Sequence, residues 1–371
     1  METTENSFIN RPKPREQVEA LNPYSAPLEG RRNLLRLDFN ENTIGPSPLV
    51  IKALKAIRRE EIAIYPEYSG LKEKLVENLK TQNPSVSINS SEIGIFNGVD
   101  ASINAIFHAY GDKNELMLTT SPTFGYYAPC AHMRGMKITS IPYESIDFQY
   151  PFNKICKFMV QHSPKILLIC NPNNPTGTSL DPERIIEISR LSPETLVVVD
   201  ELYEAFTGGS ILPFVNFQQT TNLVVLRSLS KTAGLAGLRI GFAIGNSKVI
   251  NIINRVTGPY DVNSFAVTAA FAALKDQSYI DLYVKEVLEA RDWLKIKLEE
   301  HKVKHHIGGG NYFLLWPKSG PEEAEKKLKA SGILVRSMDE KINLKGSLRV
   351  SIGTLEQMKR FWSAFKLIEK I

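Results

Sequence analysis

The sequence predicts an α/β protein with a large three-layer domain on a mainly parallel sheet and a smaller α+β domain beside it. Three observations point there. Between residues 49 and 280, short apolar runs alternate with helix-length segments: Ile93–Phe96, Leu116–Leu118, Ile166–Cys170, Leu196–Val199, Leu223–Leu226 and Ile240–Ile244. These runs are nearly continuous in apolar character, as expected of strands covered on both faces and paired in parallel. From residue 281 the pattern changes to one long charged helix followed by short strands among helices. The expected division is an arm over 1–45 that joins the smaller domain, a large domain over 46–280, and a C-terminal small domain over 281–371.

At 371 residues, with 43% hydrophobic and 23% charged composition, the chain can bury a large core and shows no sign of disorder. Its net charge of +5 is spread over 45 basic and 40 acidic residues without blocks, so nucleic acid is not implied, whereas anionic small substrates remain open. Cys130, Cys156 and Cys170 are too few and too scattered for a disulfide framework or zinc ribbon. No metal-ligand spacing is present, and His305-His306, in a Lys- and Glu-rich stretch, reads as exposed. The polar N-terminus and the short Phe265–Leu274 apolar run give no leader or membrane span, so a cytoplasmic protein is expected.

Prolines 12, 14, 23 and 27 mark the arm, which runs through a short strand near Leu37 into a Pro/Gly turn and a helix starting near Ser47. In a parallel sheet, ligands collect at the carboxyl ends of strands, so the residues after each run matter most. Asn97-Gly98-Val99-Asp100 opens a helix whose free N–H groups suit a phosphate, although Asp100 reads equally well as a helix cap. Ser121-Pro-Thr-Phe124-Gly-Tyr126-Tyr127 brings aromatics to a strand end, and Phe124 could stack on a planar ring or simply pack. Asn171-Pro-Asn-Asn174-Pro175-Thr-Gly177 is a rigid turn in which Asn174 can donate to a ring oxygen. Asp200, emerging from an apolar strand before Tyr203, is either a helix cap or a buried acid in need of a cation such as a protonated pyridine nitrogen.

The chain centres on Ser228-Leu-Ser230-Lys231, which follows the apolar run Leu223–Leu226 and precedes Arg239. A lysine in a Ser- and Gly-rich loop is commonly just solvated. Here Ser228, Ser230 and Arg239 can converge on one phosphate while Lys231 reaches an adjacent aldehyde, and the ligand so implied is pyridoxal phosphate. Farther on, the helix near 281–300 carries Val284, Val287, Leu288, Leu294 and Leu298 on one stripe. Short strands follow at Tyr312–Trp316, Ile333–Val335 and Leu348–Ile352, the last holding Arg349 between apolar neighbours.

In their order, Asn97-Gly98-x-Asp100, Pro122-Thr-Phe124, Asn174-Pro-Thr-Gly177, Asp200-x-x-Tyr203, Ser228-x-Ser230-Lys231 and Arg239 resemble the aspartate aminotransferase-like, fold-type I pyridoxal phosphate enzymes over essentially the whole chain. The resemblance implies that Lys231 bonds the cofactor aldehyde and that Asp200 pairs with the ring nitrogen. It gives Asn174 and Tyr203 the ring oxygen and Phe124 the ring face. Gly98, Val99, Asp100, Ser228, Ser230 and Arg239 would hold the phosphate, and Arg349 would grip the substrate carboxylate.

Within that family the chain is most similar to histidinol-phosphate aminotransferases, through Asn22-Pro23-Tyr24, Asn40-Glu41-Asn42, Tyr65-Pro66-Glu67, Ala236-Gly237-Leu238-Arg239 and Val335-Arg336-Ser337. That similarity implies a substrate phosphate on Arg336, a substrate-side Tyr24, and Tyr65 reaching the cofactor phosphate of the partner in a homodimer with shared active sites. The implied reaction is transamination between histidinol phosphate and 2-oxoglutarate. Thr43, Ala101, Phe124 and Asp261 depart from the usual pattern without removing a catalytic group. Aromatic amino-acid transaminases and threonine-phosphate decarboxylases share the same motifs and stay as alternatives.

Overall fold

The computed structural model describes residues 12–22, 29–144 and 147–371. Tyr24 lies outside the described residues. The strands, in chain order, are β1 (Leu35–Arg36), β2 (Ile93–Phe96), β3 (Leu116–Ser121), β4 (Lys137–Pro142), β5 (Ile166–Cys170), β6 (Leu196–Asp200) and β7 (Leu223–Ser228). They continue with β8 (Gly241–Gly245), β9 (His305–Ile307), β10 (Tyr312–Leu315), β11 (Ile333–Leu334), β12 (Arg336–Ser337) and β13 (Leu348–Ser351).

Seven strands form the main sheet in the order β2-β8-β7-β6-β5-β3-β4. Only β8 runs against its neighbours; β3 to β7 are parallel. Side chains alternate between the two faces of a strand. Thus Leu167 and Ile169 enter the core on one side, while Ile166, Leu168 and Cys170 enter the core on the other. Helices cover both faces, which is why β5, β6 and β8 are buried along their whole length and read as unbroken apolar text. Each such Val, Leu or Ile withdrawn from water stabilises the fold by about 1.5–3 kcal/mol before chain entropy is counted. The edge strand β4 escapes a hydrophobic scan, because Lys137-Ile-Thr-Ser-Ile-Pro142 alternates and lies half in solvent.

A second core lies around the antiparallel sheet β12-β13-β10-β9. The helix Gln277–Glu300 presents Tyr283, Val287, Ala290, Leu294 and Leu298 to it, and helix Leu355–Glu369 adds Met358, Phe361, Trp362 and Phe365. The arm is stitched into this part by parallel pairing of β1 with β11, Leu35 opposite Ile333. Ser47 then caps the helix Pro48–Lys55 by accepting from Val50 N. His305 and His306 are not exposed as expected: they form the edge strand β9, half-buried, with the His306 ring against Phe148 at 4.9 Å. Pairing against the buried strand β10, not local charge, decides their environment. No helix among the described residues is long and apolar enough to cross a membrane.

Candidate active site

A cavity of about 130 Å³ opens where β5, β6 and β7 end. Its lining includes Val99, Asp100, Phe124, Asn174, Asp200, Tyr203, Ser228, Ser230, Lys231 and Arg239, nearly the whole predicted set. Gly98 stands at its edge with φ +79°, and a Cβ there would come within 2.6 Å of the Arg239 guanidinium. The positive φ is what calls for glycine, while the guanidinium end could shift aside.

At one end of the cavity the polar groups suit an anion. The helix Val99–Tyr110 starts after Gly98, leaving its first N–H groups free of helix partners. Arg239, itself at φ +58°, lies 3.0 Å from the Asp100 carboxylate. Asp100 is therefore not the helix cap; it sits in the first turn and pairs with Arg239. Ser228 donates to the Ser230 hydroxyl at 2.9 Å and receives the Ser230 N–H at 3.0 Å, which gathers both hydroxyls beside the guanidinium.

At the other end lies Asp200, 2% exposed at the close of β6. It caps no helix. Tyr127 donates to its carboxylate at 2.6 Å, and Leu202 N–H at 3.2 Å. Burial pushes its carboxyl up to about 6 despite the Tyr127 hydrogen bond. No salt bridge to this acid is formed among the described residues, and a protonated ring nitrogen would supply one. Tyr127 was readable only as one of several aromatics in its loop; its distance from residue 200 in sequence hides the bond.

Lys231 is half-buried, and its Nζ donates to the Phe39 carbonyl at 3.0 Å. Burial, then the nearby Arg349, lowers its amine to about 8. The lysine loop is fixed from the arm side: Asn42 donates to Thr232 O at 2.8 Å, and Gly234, at φ +74°, packs directly on the Gly45–Pro46 backbone. The Tyr203 hydroxyl accepts from Asn174 at 3.3 Å and from Asn40 at 3.1 Å, so Asn174 and Tyr203 share one side of the cavity, with Phe124 on its wall.

Arg349, on β13, donates to Asn174 Oδ1 at 2.8 Å and to Asp38 O at 2.6 Å. Arg336 is its registered partner on β12, so both side chains leave the same sheet face. The Arg336 guanidinium stands 6.0 Å from the Phe39 ring. Tyr65 is not brought to this cavity. It is 71% exposed and stacks on Tyr260 at 4.1 Å between centroids. Lys341, which the motifs do not mark, donates to Thr123 O at 3.1 Å beside Phe124, and burial lowers its amine.

An anion cradle, a buried acid, a neutral hydrogen-bonding side and one amine of lowered basicity match, group for group, the phosphate, ring nitrogen, ring oxygen and aldehyde of pyridoxal phosphate. A model of the family described as aminotransferase class I and II matches residues 32–365. The chain belongs to that family. A histidinol-phosphate aminotransferase from Clostridium novyi is 33% identical over 345 residues, covering 92% of this chain and 93% of its own. A dihydroxyacetone phosphate transaminase from Campylobacter jejuni is 32% identical over 358 residues, with 92% and 93% covered. Among solved structures, a Sinorhizobium meliloti histidinol-phosphate aminotransferase in complex with pyridoxal-5'-phosphate superposes with TM-score 0.85 at 19% identity, covering 99% of each chain, which shows the shared fold. This aminotransferase is an enzyme that uses pyridoxal phosphate.

Proposed function

We propose that this enzyme transfers the amino group of histidinol phosphate to 2-oxoglutarate. The observation that carries the reading is the pair Arg336 and Arg349, registered opposite one another beside the cavity. Histidinol phosphate bears a phosphomonoester near its amino-bearing carbon, where an amino acid bears a carboxylate. A dianion calls for more than one cation, and the planar forks of two arginines suit it. In the second half of the cycle Arg349 serves the α-carboxylate of the oxo acid. The similarity to the Clostridium novyi enzyme supports the same donor.

The roles follow from the chemistry of each group. Arg239, Ser228, Ser230 and the helix start after Gly98 would hold the cofactor phosphate, and Phe124, Asn174 and Tyr203 would hold the ring. Asp200, held by Tyr127, would keep the ring nitrogen protonated. The bound cofactor supplies an electron-withdrawing ring that acidifies the substrate C–H. Lys231, with its amine near 8, has a neutral fraction at physiological pH, so Nζ can take that proton and return it. Phe39 O accepts a hydrogen bond from the free amine and keeps it beside the cavity.

Tyr65 gains a role only in a pair of chains. It stands on an exposed face with Ile62, Ile64, Tyr260 and Phe265, and we place a second copy there, in a cytoplasmic homodimer whose sites are shared. The large domain over 46–280 would carry the cofactor while the arm and 281–371 carry the substrate cations.

Turnover of histidinol phosphate with 2-oxoglutarate tests the reading, run beside phenylalanine, tyrosine and O-phosphothreonine. Arg336→Met is expected to raise the KM for histidinol phosphate by about a hundredfold, the weight of a charge-assisted pair, and to leave phenylalanine turnover unchanged. Activity on the aromatic amino acids alone, or carbon dioxide released from O-phosphothreonine without an oxo acid, would redirect it. The likeness to a dihydroxyacetone phosphate transaminase adds a second phosphorylated candidate, to be run in the same panel.

A further inference from the structure

The arm segment Asp38–Asn42 touches Arg349, Lys231, Tyr203 and the lysine loop. Asp38 O accepts from Arg349 Nη2 at 2.6 Å, and the next carbonyl, Phe39 O, accepts from Lys231 Nζ at 3.0 Å. Asn40 donates to the Tyr203 hydroxyl at 3.1 Å, and Asn42 to Thr232 O at 2.8 Å. Consecutive carbonyls thus serve the cation on the small sheet and the amine on the large one. The segment itself belongs to no strand, because the pairing of β1 with β11 ends at Arg36.

What encloses it is Arg31. Its Nε and Nη2 take the Asp38 carboxylate at 2.9 and 2.7 Å in a two-pronged grip. Nη2 also reaches Glu41 at 2.8 Å, and the guanidinium covers the Phe39 ring at 4.3 Å. Arg36 adds a weaker contact to Glu41 at 3.4 Å. The Arg31 and Asp38 side chains are 11% and 5% exposed, so water screens this pair far less than it screens a surface ion pair. Arg31 spans the segment on both sides of the two carbonyls.

We propose that Arg31 is a positioning residue: by clamping Asp38 and Glu41 around Phe39 it aims the Asp38 and Phe39 carbonyls at Arg349 and Lys231. Loss of the clamp leaves the cofactor cradle intact but lets the carbonyls turn, so Arg349 is misplaced for carboxylates and the freed amine is misplaced for proton transfer. The inference rests on the assigned roles of Lys231 and Arg349 and not on the identity of the amino donor.

The test uses the cofactor-loaded enzyme with Arg31→Met, Arg31→Lys and Glu41→Gln. Cofactor content is read from visible absorbance, and binding of glutarate, an unreactive dicarboxylate, from its effect on that absorbance. Arg31→Met is expected to keep its cofactor, to bind glutarate about tenfold more weakly, as the loss of a charge-assisted contact requires, and to lose kcat per loaded site. Arg31→Lys, which keeps the charge without the fork, should fall between it and wild type. Should Arg31→Met not fold, Arg31→Lys and Glu41→Gln report the same quantities. Glutarate affinity and kcat within about twofold of wild type in any folded, loaded variant overturn the proposal, even where Tm has dropped. Glutarate binding is blind to the amino donor, so a failed donor assignment and a failed clamp give different results.

Discussion

The two walls of the active site are built differently. The cofactor wall comes from the carboxyl ends of adjacent parallel strands, where Asn174, Asp200 and Ser228 follow β5 and close β6 and β7, so the pairing of the strands sets their spacing. The substrate wall is assembled from the arm and from β12 and β13, more than three hundred residues apart in the case of Asp38 and Arg349. The first wall inherits its geometry from a buried core. The second depends on a few hydrogen bonds between distant segments, so it should be the easier one to perturb without losing the fold.

The largest expected effect removes the group that both walls share. Lys231→Ala should lower kcat by roughly 10⁴-fold or more, in line with deletion of a covalent catalyst, and abolish borohydride-stable labelling of the chain by cofactor. Retained labelling would place the attachment elsewhere. On the substrate wall, Arg349→Lys should raise KM for 2-oxoglutarate by about a hundredfold, since an ammonium cannot reproduce the bidentate fork. Its cofactor absorbance should be unchanged; an equal loss of cofactor would erase the distinction between the walls.

On the cofactor wall, Asp200 gives a pH signature in enzyme stripped of cofactor. Its folded carboxyl titrates near 6, above its ordinary 3.8, so the native state holds the extra proton between those values. The burial cost is fully present above pH 6 and disappears as pH falls toward 4. Asp200→Asn should therefore gain stability relative to wild type above pH 6, up to about 3 kcal/mol, and the gain should shrink toward pH 4 in urea titrations. A gain that does not vary with pH would contradict the buried-acid account. The smallest effect is expected for Tyr127→Phe, which removes one hydrogen bond to that carboxylate. About 1–2 kcal/mol, read as a kcat reduction of roughly tenfold with KM unaltered, is the expected size.

The same contrast explains what the sequence disclosed. Unbroken apolar runs announced β5, β6 and β8 because both faces of those strands are covered, and the residue after each run was then a candidate by position alone. The half-solvated β4 and the two-residue β12 carry too little apolar text to be seen, whereas the short β1 and β11 fall at or beside the strands read near Leu37 and at Ile333–Val335. His305 and His306 were misread because their neighbours in sequence are charged while their neighbours across the sheet, Leu315 and Leu314, are not. Tyr127, Phe39 and Lys341 were missed for one reason: each acts through a bond to a residue at least seventy positions away, or through a main-chain carbonyl that has no identity in the sequence. Arg336 and Arg349 could be named from motifs, but only the register of β12 against β13 puts them side by side.

The reversed strand β8 has a further consequence. Because β7 and β8 are antiparallel neighbours, with Ser228 opposite Gly241, the connection that carries Lys231 and Arg239 leaves and re-enters the sheet at one rung. Its span is thereby closed like a clasp, and a residue added or removed inside it cannot be absorbed by sliding either strand, since a one-step slip would exchange Phe242 and Ile244 with Ala243 between two packed cores. Homologous replacement of this clasp should succeed only between donors of identical length.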